Sequence, residues 1–139
     1  MCLQYKRTPM ARKLASRLES FFNQNTDGSL RSIVKYEEGD FSTVYLRDDV
    51  ADQYTPEEAA RAIDDSRLES ISAPVYEDLF SENHGELTCM VKCFENVIEM
   101  NFVLGDGVGT AVALDATALS EAQNLVGEAR NLIETERDE

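Results

Sequence analysis

Apolar side chains recur with two periods along this chain, and the switches between them mark its elements. Leu14, Leu18, Phe21 and Phe22 fall at helical spacing after Thr8-Pro9. Thr8 can cap such a helix, and Pro9 suits its first position, where the missing N–H would be unpaired anyway. Asn23, Asn25, Asp27 and Gly28 end it. Alternation then takes over. Leu30, Ser32, Val34 and Tyr36 alternate with Arg31, Ile33 and Lys35, and Phe41, Thr43 and Tyr45 alternate with Val44 and Leu46. Both runs are rich in strand formers, and the turn Glu37-Glu38-Gly39-Asp40 makes them a hairpin.

Thr55-Pro56-Glu57-Glu58 predicts a helix start: a Thr cap, Pro at the first position and Glu58 three residues after the cap. Two carboxylates in the first turn also suit the helix dipole. This helix is expected to run through Ala59, Ala60, Ile63 and Arg67 to about Ser70, with Pro74 marking a break. Residues 74–85 read ambiguously, with Tyr76, Leu79 and Phe80 able to pack as a short helical turn. Three strands follow as a meander: Glu86 to Phe94, Val97 to Leu104 and Val108 to Leu114. Glu95-Asn96 and Gly105-Asp106-Gly107 supply the turns. A final helix is expected from Asp115 or Thr117, with the stripe Leu119, Ala122, Val126, Ala129 and Ile133. The tail Glu134 to Glu139 is charged and expected to fray.

The element order is α-β-β-α-β-β-β-α, an α+β fold with a five-stranded, mostly antiparallel sheet. The middle helix is expected on one sheet face and the terminal helices on the other. Residues 1–9 read as a basic N-terminal arm, 10–135 as a single domain and 136–139 as a charged tail. This order, over residues 9–135, resembles the roadblock/longin/profilin-like fold. That resemblance implies a sheet with its strands in the spatial order second, first, fifth, fourth, third; it does not fix a function. Leu30-Arg31-Ser32, Asp40 and the run Val44-Tyr45-Leu46-Arg47-Asp48-Asp49-Val50 resemble a family of small haloarchaeal proteins. That second resemblance implies a haloarchaeal origin and carries no activity.

Charge gives this frame a setting. The chain has 27 acidic residues against 13 basic ones, a formal −14 in 139 residues. Lys6, Arg7, Arg12, Lys13 and Arg17 all precede the first acidic residue, Glu19, so the first 18 residues carry +5. Beyond them 8 basic residues face all 27 acidic ones, giving −19. Apolar residues still make up 42% of the chain, enough to exclude the composition of a disordered one. Crowded carboxylates repel one another and destabilise a compact state. Salt relieves this, since the Debye length falls from about 10 Å at 0.1 M to about 3 Å at 1 M. Nine of the basic residues are arginine and Trp is absent. A halophilic cytoplasm is therefore expected, with potassium and other salt cations around the acidic surface. No run approaches a membrane span, and the basic start lacks the apolar core of a leader. Three cysteines, an odd number, are expected to stay reduced.

Candidate chemistry is sparse. Cys89 and Cys93 share a strand face but lie about 13 Å apart, too far for a disulfide or a common metal ion. With Leu87 and Val91 they read as core. His84, the single histidine, sits in a polar turn and lacks partners for a catalytic arrangement. Gly105-Asp106-Gly107-Val108-Gly109 joins two strands rather than a strand and a helix, so it reads as a hairpin, not a phosphate loop. Arg47, Asp48 and Asp49, with Asp52, could gather a divalent ion, but without EF-hand spacing they read as a junction with Arg47 paired locally. Asp64-Asp65 reads as a solvated helix face. Neither a cofactor nor a metal site is implied.

The leading expectation is a non-catalytic interaction or regulatory module, with a homodimer or a protein partner through a helix or edge strand. The candidate interaction residues are Lys6, Arg7, Arg12, Lys13, Arg17, Arg47, Asp48 and Asp49. A small enzyme or ligand-binding domain is the alternative, with a pocket between the sheet and residues 71–85 and with Tyr45, Tyr76 or Arg47 at its mouth. A third reading is nucleic-acid contact through the basic arm. It is disfavoured by the anionic body and by the steep loss of phosphate contacts in salt. The arm could instead rest on the protein's own acidic surface, or translation could start at Met10. Melting temperature is expected to be higher in molar KCl than in dilute buffer; an unchanged or lower value would overturn the halophilic reading.

Overall fold

β-branched and aromatic residues alternate through β1 (Leu30–Glu37) and β2 (Asp40–Leu46), and Gly39 turns between them with φ +86°. The computed structural model describes residues 16–22, 24, 26, 28–37, 39–80 and 83–138, with the backbone alone at 119–127, 137 and 138. Residues 16–22 are helical (α1). After β2 come α2 (Asp48–Ala51), α3 (Pro56–Phe80), β3 (Cys89–Cys93), β4 (Val97–Gly105), β5 (Val108–Asp115), a 3-10 segment (Ala116–Glu121) and α4 (Ala122–Asp138). The helix start at Thr8-Pro9 and the arm 1–9 lie outside the described residues.

The five strands form one sheet in the order β2-β1-β5-β4-β3. All four pairings are antiparallel. This is the expected α+β fold and strand order. α2 was not anticipated. The expected last helix start at Asp115 or Thr117 is instead a 3-10 segment, with α4 proper beginning at Ala122. β3 is shorter than Glu86–Phe94 because the Leu87 N–H donates to the Glu77 carboxylate of α3 at 2.7 Å, outside the strand ladder.

The capping box at the start of α3 is formed. The Glu58 N–H donates to Thr55 Oγ1 at 3.1 Å, and the Thr55 N–H donates to Glu58 Oε1 at 2.9 Å. The expected break at Pro74 does not occur, and the helix continues to Phe80. Proline removes the bond to the carbonyl of Ser70. At that point the helix is tied to the sheet by the buried Ser70 hydroxyl, which donates to the Arg67 carbonyl at 2.6 Å and accepts the Gly107 N–H at 2.9 Å. The Glu77 bond to Leu87 anchors the turn beyond the proline. Nor does the tail fray at Glu136, which is buried and paired with Lys35 of β1 at 2.7 Å.

The sheet's two faces are unequal. Leu18 and Phe22 of α1 and Ala129 and Ile133 of α4 pack with Ile33, Val44, Ile98, Met100, Phe102, Val112 and Leu114 in one large apolar core. The face under α3 has only a small cluster, Val34, Tyr36 and Ile63, with Phe41 against it. Of the 25 residues of α3 only Ile63, Ser70 and Ala73 are buried. Polar contacts hold the helix instead. The Tyr36 hydroxyl donates to Asn101 Oδ1 at 2.6 Å. Asn101 Nδ2 in turn donates to the Ser66 carbonyl and to Glu69 Oε1, each at 3.0 Å. Burial pushes the Tyr36 phenol up to about 12.

Tyr36 lies against Gly109, where an added Cβ would meet the Tyr36 hydroxyl and ring and the Phe102 carbonyl. Gly109→Ala is therefore expected to lower stability by about 1–3 kcal/mol, the usual cost of overpacking. Tyr36→Phe, which leaves Asn101 Oδ1 without its donor, should cost about 1–3 kcal/mol. Urea midpoints measure both, and an unchanged midpoint for Gly109→Ala would contradict this packing.

Candidate functional site

Small side chains face each other where the first half of α3 crosses the sheet: Ala59, Ala62 and Ser66 on the helix, Ser32, Ala111 and Ala113 on the strands. They leave the space between the layers unfilled, a cavity of about 410 Å³. Most of its remaining wall is apolar, including Val34, Phe41, Leu46, Val50 and Val97. Tyr54, half exposed, also borders it. The expected pocket lay further along, against residues 71–85. A hollow does lie there, with Tyr76 on its border, and α3 continues through Pro74 to form part of its wall. Tyr45 packs against the core on the opposite face, and Arg47 does not line the cavity. Tyr76 borders a second, shallower hollow with Phe80, His84 and Met90.

Beside the cavity, three strand ends are locked by ions. Asp115, at the end of β5, accepts Arg31 Nη1 at 3.0 Å and Arg47 Nη1 and Nη2 at 2.7 and 3.1 Å. Arg47 also donates to Asp49 at 2.6 and 3.1 Å and to the Gly28 carbonyl at 3.0 Å. Arg31 reaches Gln53 Oε1 at 2.7 Å. Arg47 thus joins the end of β2 to β5 and to α2, whose first residues are Asp48 and Asp49. The Arg47 guanidinium holds the carboxyls of Asp115 and Asp49 below the usual carboxylate range.

On the C-terminal half of α3, Leu68, Ile71, Val75 and Leu79 repeat at helical spacing and are 61, 50, 61 and 69% exposed. Phe80 is also exposed and stacks on His84 with ring centroids 4.7 Å apart. The edge strand β3 lies alongside. Its Lys92 pairs with Asp65 at 3.2 Å and Glu69 at 2.9 Å, and Val91 and the adjoining Phe94 are exposed. Cys89 packs against the core, where burial pushes its thiol up to about 12. Cys93, expected in that core, is exposed near the edge.

Of the eight candidate interaction residues, the structure describes Arg17, Arg47, Asp48 and Asp49. Lys6, Arg7, Arg12 and Lys13 lie outside the described residues, and Arg17 is half-buried on α1. Arg47 and Asp49 belong to the ion lock, and Asp48 is exposed at the start of α2. Asp64 pairs with Arg67 at 2.6 Å. Among the described residues no group of three or more His, Cys, Asp and Glu side chains is placed to hold a metal ion. None of the described helices is long and apolar enough to cross a membrane. Sequence reasoning missed the cavity and the α3 stripe. Ala59, Ala62, Ala111 and Ala113 signalled the first, and helical spacing carried on past Pro74 signalled the second.

Fold and site define a small α+β domain with a ligand-sized hollow on one half of its central helix and an apolar face on the other. The chain belongs to the family of DUF7522, a domain of unknown function, whose pattern matches residues 16–134. None of the curated proteins compared with the chain matches it.

The ion lock has a pH signature. A depressed carboxyl stabilises the fold above the ordinary carboxylate value of 3.8, and this stabilisation is lost as pH falls through the lower folded-state value. Asp115→Asn is expected to cost about 1–3 kcal/mol at neutral pH, the range for losing hydrogen bonds to a charged group. It should also flatten the fall in stability between neutral and strongly acid pH. Parallel acid-titration curves for variant and parent would contradict this role.

Proposed function

We propose that the protein is a non-catalytic interaction module that pairs with a second copy of itself through the C-terminal half of α3 and the edge of β3. The row Leu68, Ile71, Val75 and Leu79 carries the reading. Contiguous exposed apolar patches are rare on monomers and mark contact surfaces. The row runs beside a strand with one unpaired edge, since β3 is bonded only to β4. A two-fold axis sets one such surface against itself, strand to strand and helix to helix.

The net charge of −14 opposes such pairing in dilute buffer, and molar salt favours it by screening the carboxylates. A haloarchaeal cytoplasm, the setting implied by composition and by the Tyr45-Leu46-Arg47-Asp48-Asp49 run, supplies that salt. Light scattering in molar KCl is expected to give a dimer that weakens as salt is removed. Val75→Glu combined with Leu79→Glu should give a monomer with unchanged circular dichroism. A parent protein that stays monomeric in molar KCl would overturn the reading.

A further inference from the structure

The cavity under the first half of α3 is separate from the proposed dimer face and asks for an occupant of its own. Its volume, about 410 Å³, lies within the roughly 300–1,000 Å³ of small-molecule sites. Both walls contribute small residues: Ala59 and Ala62 from the helix, Ala111 and Ala113 from the sheet. Larger side chains at these positions would fill the space, as Ile63, Val34 and Tyr36 fill it where they pack together.

The polar groups of the lining divide into two sets. Arg31 is occupied by Asp115 and Gln53, Lys92 by Asp65 and Glu69, and Asn101 by Tyr36, Ser66 and Glu69. The Thr43 hydroxyl is different. Thr43 is 0% exposed, it lines the cavity, and its Oγ1 has no hydrogen-bond partner. A buried hydroxyl without a partner is costly, and native structures rarely leave one. Glu99 also lines the cavity, and its carboxylate forms no ion pair with any described residue. With both lining cations neutralised and this carboxylate unpaired, the charge of the site disfavours anions.

We infer that this cavity binds a mostly apolar small molecule, uncharged or cationic, whose hydrogen-bonding group meets the Thr43 hydroxyl. The apolar walls take the body of the ligand, Thr43 orients its polar group, and Glu99 discriminates against a negative charge. No bond is made or broken in this role.

The test is fluorescence titration of the full-length protein in molar KCl with N-phenylnaphthylamine, a neutral apolar probe bearing one N–H donor. Saturable binding at one site per chain is expected. Dodecylamine should displace the probe, and the anionic anilinonaphthalene sulfonate should bind at least about tenfold more weakly, the factor for one unfavourable charge contact. Ala113→Phe and, separately, Ala59→Leu should abolish binding while circular dichroism stays native; two positions guard against one variant failing to fold. Thr43→Val should weaken the probe by about tenfold, as for one lost hydrogen bond, and raise the melting temperature of the unliganded protein. Val75→Glu with Leu79→Glu should leave binding intact. The inference is overturned by any of three results: no saturable binding, binding that survives both filling variants, or binding lost only when the α3 stripe is changed. Equal affinity of Thr43→Val and the parent would overturn the role of Thr43.

Discussion

A single chain of hydrogen bonds, buried from Tyr36 to Asn101 and part-buried from Asn101 to Ser66 and Glu69, fixes where the central helix lies on the sheet. Apolar burial positions most helices on most sheets, because it is the dominant favourable term in folding. Here most of the buried apolar surface is on the other face, and α3 is located chiefly by directional bonds. Such bonds set distance and register without requiring that the layers fill the space between them. Buried polar networks of this kind favour one geometry strongly when every member is satisfied, as all four groups are here.

Both functional features follow from that arrangement. Ahead of the network, towards Pro56, small residues leave a hollow that the bonds do not collapse. Beyond it, towards Phe80, the helix buries Ser70 and Ala73 and presents Leu68, Val75 and Leu79 to solvent. Gly109 belongs to the same device, since only a residue without a side chain lets Tyr36 cross β5 to reach Asn101. The terminal helices, in contrast, are held by ordinary core packing, with the Lys35–Glu136 pair closing the end of α4 against β1.

Much of the architecture was legible because local signals agreed. Alternation named the strands, Gly39 and Gly107 took the positive φ that their turns required, and the Thr55–Glu58 box began α3 where expected. Pro74 misled because its effect is local, whereas the contacts of Ser70 and Glu77 that tie down the helix reach 37 and 10 residues along the chain. The signal for the cavity went unread for a related reason. Alanines at 59, 62, 111 and 113 are unremarkable singly, and only the fold sets two pairs of them face to face. Cys93 was placed in the core from strand alternation alone, which says which face a residue takes but not whether anything covers that face at the sheet's edge.

The ion pairs have a consequence for how anything reaches this molecule. Arg31, Lys35, Arg47, Arg67, Lys92 and Arg130 are each bound to a carboxylate of the same chain. Six of the body's eight cations are thus taken up within the chain, which leaves its excess of negative charge unmatched. A visiting macromolecule therefore meets many hydrated carboxylates on the described surface. The bare helix face of Leu68 to Leu79 is a gap among them, where approach does not first require stripping ions and water from charged groups.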